Sequence, residues 1–197
     1  MKDSSTRLIH NLKRIKWDMT GNRFMYIQCF LSWIPGLPGI MIRRSVYKSW
    51  FKHLGSDTDI LPGVLIRNPQ CLYVGKKCGL GVGVQIQAAG NVTMEDNVML
   101  GPGVRIWSAN HRYQDPYTPI SEQGYEFKEV IIEEDTWIGA GAFVMPGAHI
   151  GRGSVIAAQS VVGAKKYKQF SILAGNPARV IGSRDNTSPP KGNDQTR

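Results

Sequence analysis

From residue 60 onward aliphatic residues return at every sixth position, a period that neither an α-helix (about 3.6) nor an extended strand (about 2) produces. Ile60, Ile66 and Leu72 are six apart. Val74, Leu80, Ile86, Val92, Val98 and Val104 keep a six-residue register, and Ile132, Ile138, Val144, Ile150, Ile156 and Val162 resume it. In the second block the fourth residue after the aliphatic is small, at Thr136, Ala142, Ala148, Ser154 and Ser160, and fails only at Lys166. A hexapeptide period is the mark of a β-helix.

Each hexad supplies a short strand and a turn, and three hexads, about 18 residues, complete a triangular coil. The aliphatic points into the narrow prism, and the small residue sits near a corner where a bulky one would clash. Six hexads over 74–109 and six over 132–167 predict four coils, with a partial one at 60–73. The expected fold is mainly β, a left-handed parallel β-helix over 56–182, its hand an exception to the right-handed crossover rule. Stacked coils leave open ends that need caps.

The segment before the repeats is a basic arm, 1–55. Residues 1–52 carry ten basic and two acidic residues, so +8 of the total +9 lies there. Leu8, Leu12, Ile15 and Met19 form a narrow helical stripe with Arg7, Lys13, Arg14 and Lys16 off it. Later, Arg44, Lys48 and Lys52 recur every four residues, while Tyr47, Trp50, Phe51 and Leu54 line another face. Both read as amphipathic helices for an anionic membrane surface, with Trp17, Trp33 and Trp50 as headgroup-level anchors. The alternative is that these faces cap the open end of the coil. Large apolar residues interleaved with the charge suit a membrane better than nucleic acid. Pro35, Gly36, Pro38 and Gly39 break the apolar run 24–42, so no membrane span is expected. The run begins only at Phe24 and the first alanine is Ala88, so no cleaved signal is read either.

Residues 110–131 interrupt the register between two good coils, and insertions in a solenoid become loops on one face, often the functional one. Residues 183–197 hold no Ile, Leu, Val or aromatic residue and read as a disordered tail. Three cysteines, Cys29, Cys71 and Cys78, form no C-x-x-C pair, which excludes a disulfide framework and fits a reducing compartment. Cys78 fits a small hexad position in the core, and Cys29 lies in the apolar run. Of four histidines, His10 and His53 lie in the arm as solvated or interfacial groups, and His149 ends a hexad at an outward turn. His111 opens the inserted loop directly after a coil. A loop histidine on a rigid scaffold is a general-base candidate; a loop-anchoring role is the competing reading. Asp115, Glu122, Glu126 or a backbone carbonyl could orient its ring.

The run TWIGAGAFVMPGAHIGRGSVIAAQSVVGA (136–164), with AGNPARVIG (174–182) and NH at 110–111, resembles the hexapeptide-repeat acyltransferases. Within them it is similar to the sugar and polysaccharide O-acetyltransferases, over residues 56–182. The resemblance implies that His111 is the general base toward an acceptor hydroxyl. It implies that Trp137 lines the cleft beside the thioester end of coenzyme A, and that the Ala140 N–H donates to the thioester carbonyl. Ala158 and the turn around Gly163–Lys166, with Lys165 and Lys166, match positions along the pantetheine arm. Arg179 matches a basic residue near the nucleotide end. Asn110 and Gln85 are the expected acceptor contacts. The resemblance also implies a homotrimer, with one subunit's loop histidine facing its neighbour's coils.

Two departures bear on the substrate. The sugar enzymes often carry Thr-Lys after the S-x-V turn, where this chain has Gly163-Ala164 with the lysines displaced. No asparagine stands at Gly83–Gln85, where the galactoside enzymes place an acceptor ligand, so a small galactoside is not the expected acceptor. The expectation is an acetyl-CoA-dependent O-acetyltransferase of a surface-glycan saccharide, lipid-linked, on the cytoplasmic face of the cell membrane. No metal and no nucleic acid are expected. A zinc site needs three histidines, and only His111 and His149 lie in the coils. The rivals are transfer to an antibiotic or a nucleotide-sugar amine, and a non-catalytic membrane-bound scaffold.

Overall fold

The computed structural model describes residues 21–186; the stripe at 6–19, His10, Trp17 and the tail from 187 lie outside the described residues. Short parallel strands stack into three faces of a β-helix, with six strands on face I, seven on face II and five on face III. Face I starts at His53–Leu54, face II at Asp59–Ile60 and face III at Leu65–Arg67. Strand pairing is parallel throughout the coils, as in Val74↔Met94 on face I and Leu80↔Leu100 on face II.

The inward residues form three buried columns. Face I stacks Leu54, Val74, Met94, Ile132, Ile150 and Tyr167; face II stacks Ile60, Leu80, Leu100, Ile138, Ile156 and Leu173; face III stacks Ile66, Ile86, Ile106, Val144 and Val162. The second sequence block therefore sits in the expected register. The first block keeps it only through Val74, Leu80 and Ile86. The step from face III to face I is eight residues there, Ile66 to Val74 and Ile86 to Met94, so the lining residues are Met94, Leu100 and Ile106. Val98 and Val104 are buried at the corners instead. The coil completes five full circuits, where the hexad count predicted four. Near the far end the step shortens to five, from Val162 to Tyr167, which puts Lys166 on the outside and explains its break with the small-residue rule.

Both ends are closed. A solenoid end exposes unpaired strand edges, which here meet helix α1 (Arg23–Leu31) and helix α2 (Gly36–Tyr47). Buried Gln28 behaves like a strand residue: its Oε1 accepts from the Ile66 N–H at 2.8 Å and its Nε2 donates to the Ile66 carbonyl at 3.1 Å. Buried Arg43 donates to the carbonyls of Ile60 (2.7 Å), Leu31 (3.0 Å) and Ile34 (2.9 Å), tying both helices to face II. Phe24, Tyr47 and Phe51 join the core, with Phe24 and Tyr47 edge-to-face at 5.0 Å. Burial pushes the Tyr47 phenol up to about 12.

Several expectations for the arm change. α2 stops at Tyr47, and the half-buried Trp50 packs on Phe24 at 5.5 Å. Pro38 and Gly39 lie in the first turn of α2, where a missing N–H is tolerated, so the break falls between Leu31 and Gly36. His53 belongs to the first coil strand and stacks on Tyr73 at 4.6 Å. Cys29 is exposed on α1, whereas Cys78 is buried. At the other end, Ser171–Gly175 and Ala178–Ser183 pair antiparallel, and a 3-10 turn at Arg184–Asn186 follows. Arg184 donates to the Gly153 carbonyl at 2.7 Å, so packed chain continues beyond position 183.

Candidate active site

The inserted segment leaves the corner between faces III and I, the same corner that is two residues longer in the coils below. It forms a two-stranded antiparallel ribbon, Ala109–His111 with Tyr125–Phe127, in which His111 faces Tyr125 and Asn110 faces Glu126. The ribbon is bolted to the coil through buried Ser108. Its hydroxyl donates to the Gln87 carbonyl at 2.7 Å and accepts from the Gly90 N–H at 2.9 Å, and its carbonyl accepts from the Lys128 N–H at 3.0 Å. A Cβ at Gly90 would stand 2.2 Å from the Ser108 oxygen, so only glycine allows this approach.

Between ribbon and coil lies a cleft of about 350 Å³, lined by Arg67, Gln87, Trp107, Asn110, His111, Tyr125 and Phe127 among others. The size is in the lower range for small-molecule sites. His111 is exposed at the cleft mouth, its ring 4.4 Å from that of Tyr125. None of the three carboxylates expected to orient it does so among the described contacts. Asp115 accepts from the Thr118 hydroxyl (2.7 Å) and the Tyr117 N–H (2.9 Å), which hold its carboxyl below the usual range. Glu126 pairs with Lys128 at 3.0 Å, and Glu122 sits on the exposed 3-10 turn Ile120–Glu122. Gln85 points outward on face III two residues short of the cleft; Gln87 lines it instead. Trp107, Tyr125, Phe127 and Arg67 were not singled out from the sequence. The alternation of Tyr125-Glu126-Phe127 across from Ala109-Asn110-His111 was the available signal.

The remaining candidates lie elsewhere. Ala140 and Ala158 occupy the corner between faces II and III, one coil apart. There the turns stack into a ladder: Gly103 N–H to Val82 carbonyl (2.8 Å), Gly141 N–H to Pro102 carbonyl (2.9 Å), Gln159 N–H to Ala140 carbonyl (2.9 Å). The donor of each turn has a positive φ, 67° at Gly103, 68° at Gly141 and 60° at Gln159. The coils approach so closely that a Cβ at Gly139 would lie 2.6 Å from the Ala158 nitrogen. Ala140 and Ala158 themselves are exposed, and the Ala140 N–H takes no part in the ladder. The result is an open corner where two alanines stand beside Gln159.

Trp137, half exposed on face II, stands in register between Met99 and Val155. Lys165 and Lys166 are exposed at the III–I corner, two coils beyond the ribbon, with Lys165 Nζ 5.0 Å from the Tyr167 ring centroid. Arg179 is exposed on the terminal hairpin. None of these six candidates borders the His111 cleft. His149 is no free surface group: it lies on face I with Nε2 2.6 Å from Glu133 Oε1, and that contact holds the Glu133 carboxyl below its usual range. Among the described residues no group of three His, Cys, Asp or Glu is placed to hold a metal ion.

Comparison with known proteins extends this picture. Residues 129–164 match the family described as bacterial transferase hexapeptide (six repeats). An Escherichia coli chloramphenicol acetyltransferase is 30% identical over 75% of this chain and 69% of its own length. This chain belongs to the hexapeptide-repeat acetyltransferases. A galactoside O-acetyltransferase of Lactococcus lactis is 34% identical over 70% of the chain, which spans just under two thirds (66%) of that relative. Among solved structures, a hexapeptide-repeat acetyltransferase of Vibrio cholerae in complex with acetyl coenzyme A superposes with a TM-score of 0.68 at 26% identity, covering 73% of this chain and 76% of that one. The family's relatives thus differ in the acceptors they are named for, while the coil is shared.

Proposed function

We propose that this protein is an acetyl-CoA-dependent O-acetyltransferase that modifies a hydroxyl of a surface-glycan saccharide. The observation that carries the reading is the exposed His111 at the mouth of an aromatic-lined cleft, on a ribbon bolted to a rigid coil. Relatives named galactoside O-acetyltransferase and a neighbour solved with acetyl coenzyme A support the reaction class. Trp107, Tyr125 and Phe127 offer flat apolar surfaces for a sugar ring.

Bound acetyl coenzyme A supplies an activated thioester carbonyl. His111 takes the proton from the acceptor hydroxyl as the oxygen attacks that carbonyl, a contribution of roughly 10²–10⁴-fold; the C–S bond then breaks and the proton passes from His111 to the departing coenzyme A thiolate. The Ala140 N–H, outside the ladder, donates to the carbonyl oxygen where negative charge builds. Trp137 and Ala140 hold the acyl end of the cofactor, Ala158, Lys165 and Lys166 its pantetheine arm, and Arg179 its nucleotide end. These residues stand on corners and faces away from the His111 cleft, so a single chain does not assemble them. A homotrimer, in which the His111 cleft of one subunit meets the small-residue corner of the next, joins the two halves.

The acceptor is lipid-linked in this reading, and the enzyme works at the cytoplasmic face of the cell membrane. The absence of an asparagine at Gly83–Gln85 supports an acceptor other than a small galactoside. The test is NMR of surface glycan from a strain lacking the protein and from its parent. Acetyl signals missing from the first are expected; identical acetylation would refute the reading.

A further inference from the structure

Each helix of the arm turns one face to the cap and, among the described residues, another outward. On α1, Phe24, Gln28 and Leu31 meet the coil, while Phe30 and, just past the helix, Trp33 lie on the far side. Phe30 is 74% exposed and Trp33 87%. On α2, Gly39, Arg43 and Tyr47 are buried, whereas Leu37 and Met41 are 66% and 61% exposed. Lys48 continues that outer row, whereas Arg44 is tied to the coil through the Thr58 carbonyl and Asp59, each at 2.8 Å. The cap does not need these side chains, because Gln28 and Arg43 already close the strand edges. Single exposed apolar residues are ordinary, but four large ones gathered around one interhelical turn mark a docking surface.

We infer that this face docks the protein on an anionic bilayer, with Phe30, Trp33, Leu37 and Met41 entering the headgroup–acyl boundary. Charge selects the occupant. Residues 1–52 carry ten basic residues against two acidic ones; with Arg43 buried and Arg44 paired with Asp59, eight are left to attract an anionic leaflet. A second copy of the same arm would bring the same sign of charge and be repelled. Trp33, at the tip of the turn, has the amphipathic ring that partitions to the headgroup level. No helix among the described residues is long and apolar enough to cross a membrane, so contact is from one side. The inference deepens the proposed function, since it would bring the His111 cleft to lipid-carried saccharides.

The test is flotation of the full chain with phosphatidylcholine vesicles, with and without phosphatidylglycerol. Removing the arm would expose the first coil, so the variant is instead the quadruple Phe30→Ser, Trp33→Ser, Leu37→Ser, Met41→Ser, confined to exposed positions. The wild type is expected to float with the anionic vesicles and not with the neutral ones, and 0.5 M salt should weaken the binding (about 0.5 M against a screening length of a few ångströms). The quadruple variant should lose about tenfold or more in partitioning with an unchanged melting temperature and unchanged sedimentation. Wild-type protein that stays at the bottom, or a variant that floats as well, overturns the inference. So does a variant whose oligomer falls apart, which would assign the face to a second copy. Flotation needs no substrate, so its outcome is independent of whether acetyl transfer is found.

Discussion

At the corner between faces III and I the coil opens into a ribbon that carries large exposed side chains: His111, Tyr125 and Phe127, with Trp107 at its foot. At the corner between faces II and III nothing is inserted, and the exposed residues of the last two turns are Ala140, Ala158 and Gln159 on a backbone ladder. The first corner works through side chains that reach out. The second works through side chains kept small, so that backbone and space remain available. The two corners should therefore respond to opposite kinds of substitution.

Removing the imidazole is the largest expected effect. His111→Ala should lower kcat by roughly 10²–10⁴-fold and leave coenzyme A affinity near wild type, as steady-state kinetics and calorimetry would show. Wild-type turnover would remove His111 from the mechanism. At the other corner the informative change is addition. Ala158→Phe should raise the KM for acetyl coenzyme A about tenfold or more, because the ring would occupy the proposed path of the pantetheine arm. The fold should survive, since the position is exposed. An unchanged KM would move the cofactor away from this corner.

A smaller effect separates positioning from chemistry. Ser108→Ala leaves the Gly90 N–H without its hydroxyl acceptor in a buried setting, at a cost of about 1–3 kcal/mol. Thermal unfolding should register the loss. Because the ribbon then sits less firmly, kcat should fall more than the KM for coenzyme A rises. The smallest effect serves as a control on face I. The Glu133 carboxyl is held low by His149, so its stabilising contribution is present above the ordinary carboxylate range and is lost as pH falls through its depressed value. Glu133→Gln should lower the melting temperature slightly at neutral pH, and the difference should vanish in acid. Acetyl transfer should be unaffected, because the pair touches neither corner.

The period of six was enough to establish a coil, because nothing else buries an aliphatic at that spacing. It was not enough to place every residue. Val92, Val98 and Val104 are all buried, so an apolar pattern reads the same whether they line a face or a corner. Only the strand pairing Val74↔Met94 shows the two added residues. In the arm, helical periodicity reports two faces without saying what each meets, so membrane binding and capping share one sequence pattern. The cap is visible once Gln28 is paired with Ile66. His111 stood out because it opens the interruption. Its aromatic neighbours did not, because Tyr125 and Phe127 reach it only through an antiparallel register that closes a long loop.

The central claim is that the two corners meet only between subunits, and subunit complementation tests it most directly. His111→Ala and Ala158→Phe proteins, each reduced to about a tenth of wild-type activity or less under limiting acetyl coenzyme A, would be unfolded together, refolded and assayed. In a mixed ring, a subunit with an intact histidine can face a neighbour with an intact small-residue corner. Random trimers should then regain about a quarter of wild-type activity. If each chain instead formed its own complete site, every mixed assembly would stay as inactive as its parents, and that result would contradict the account.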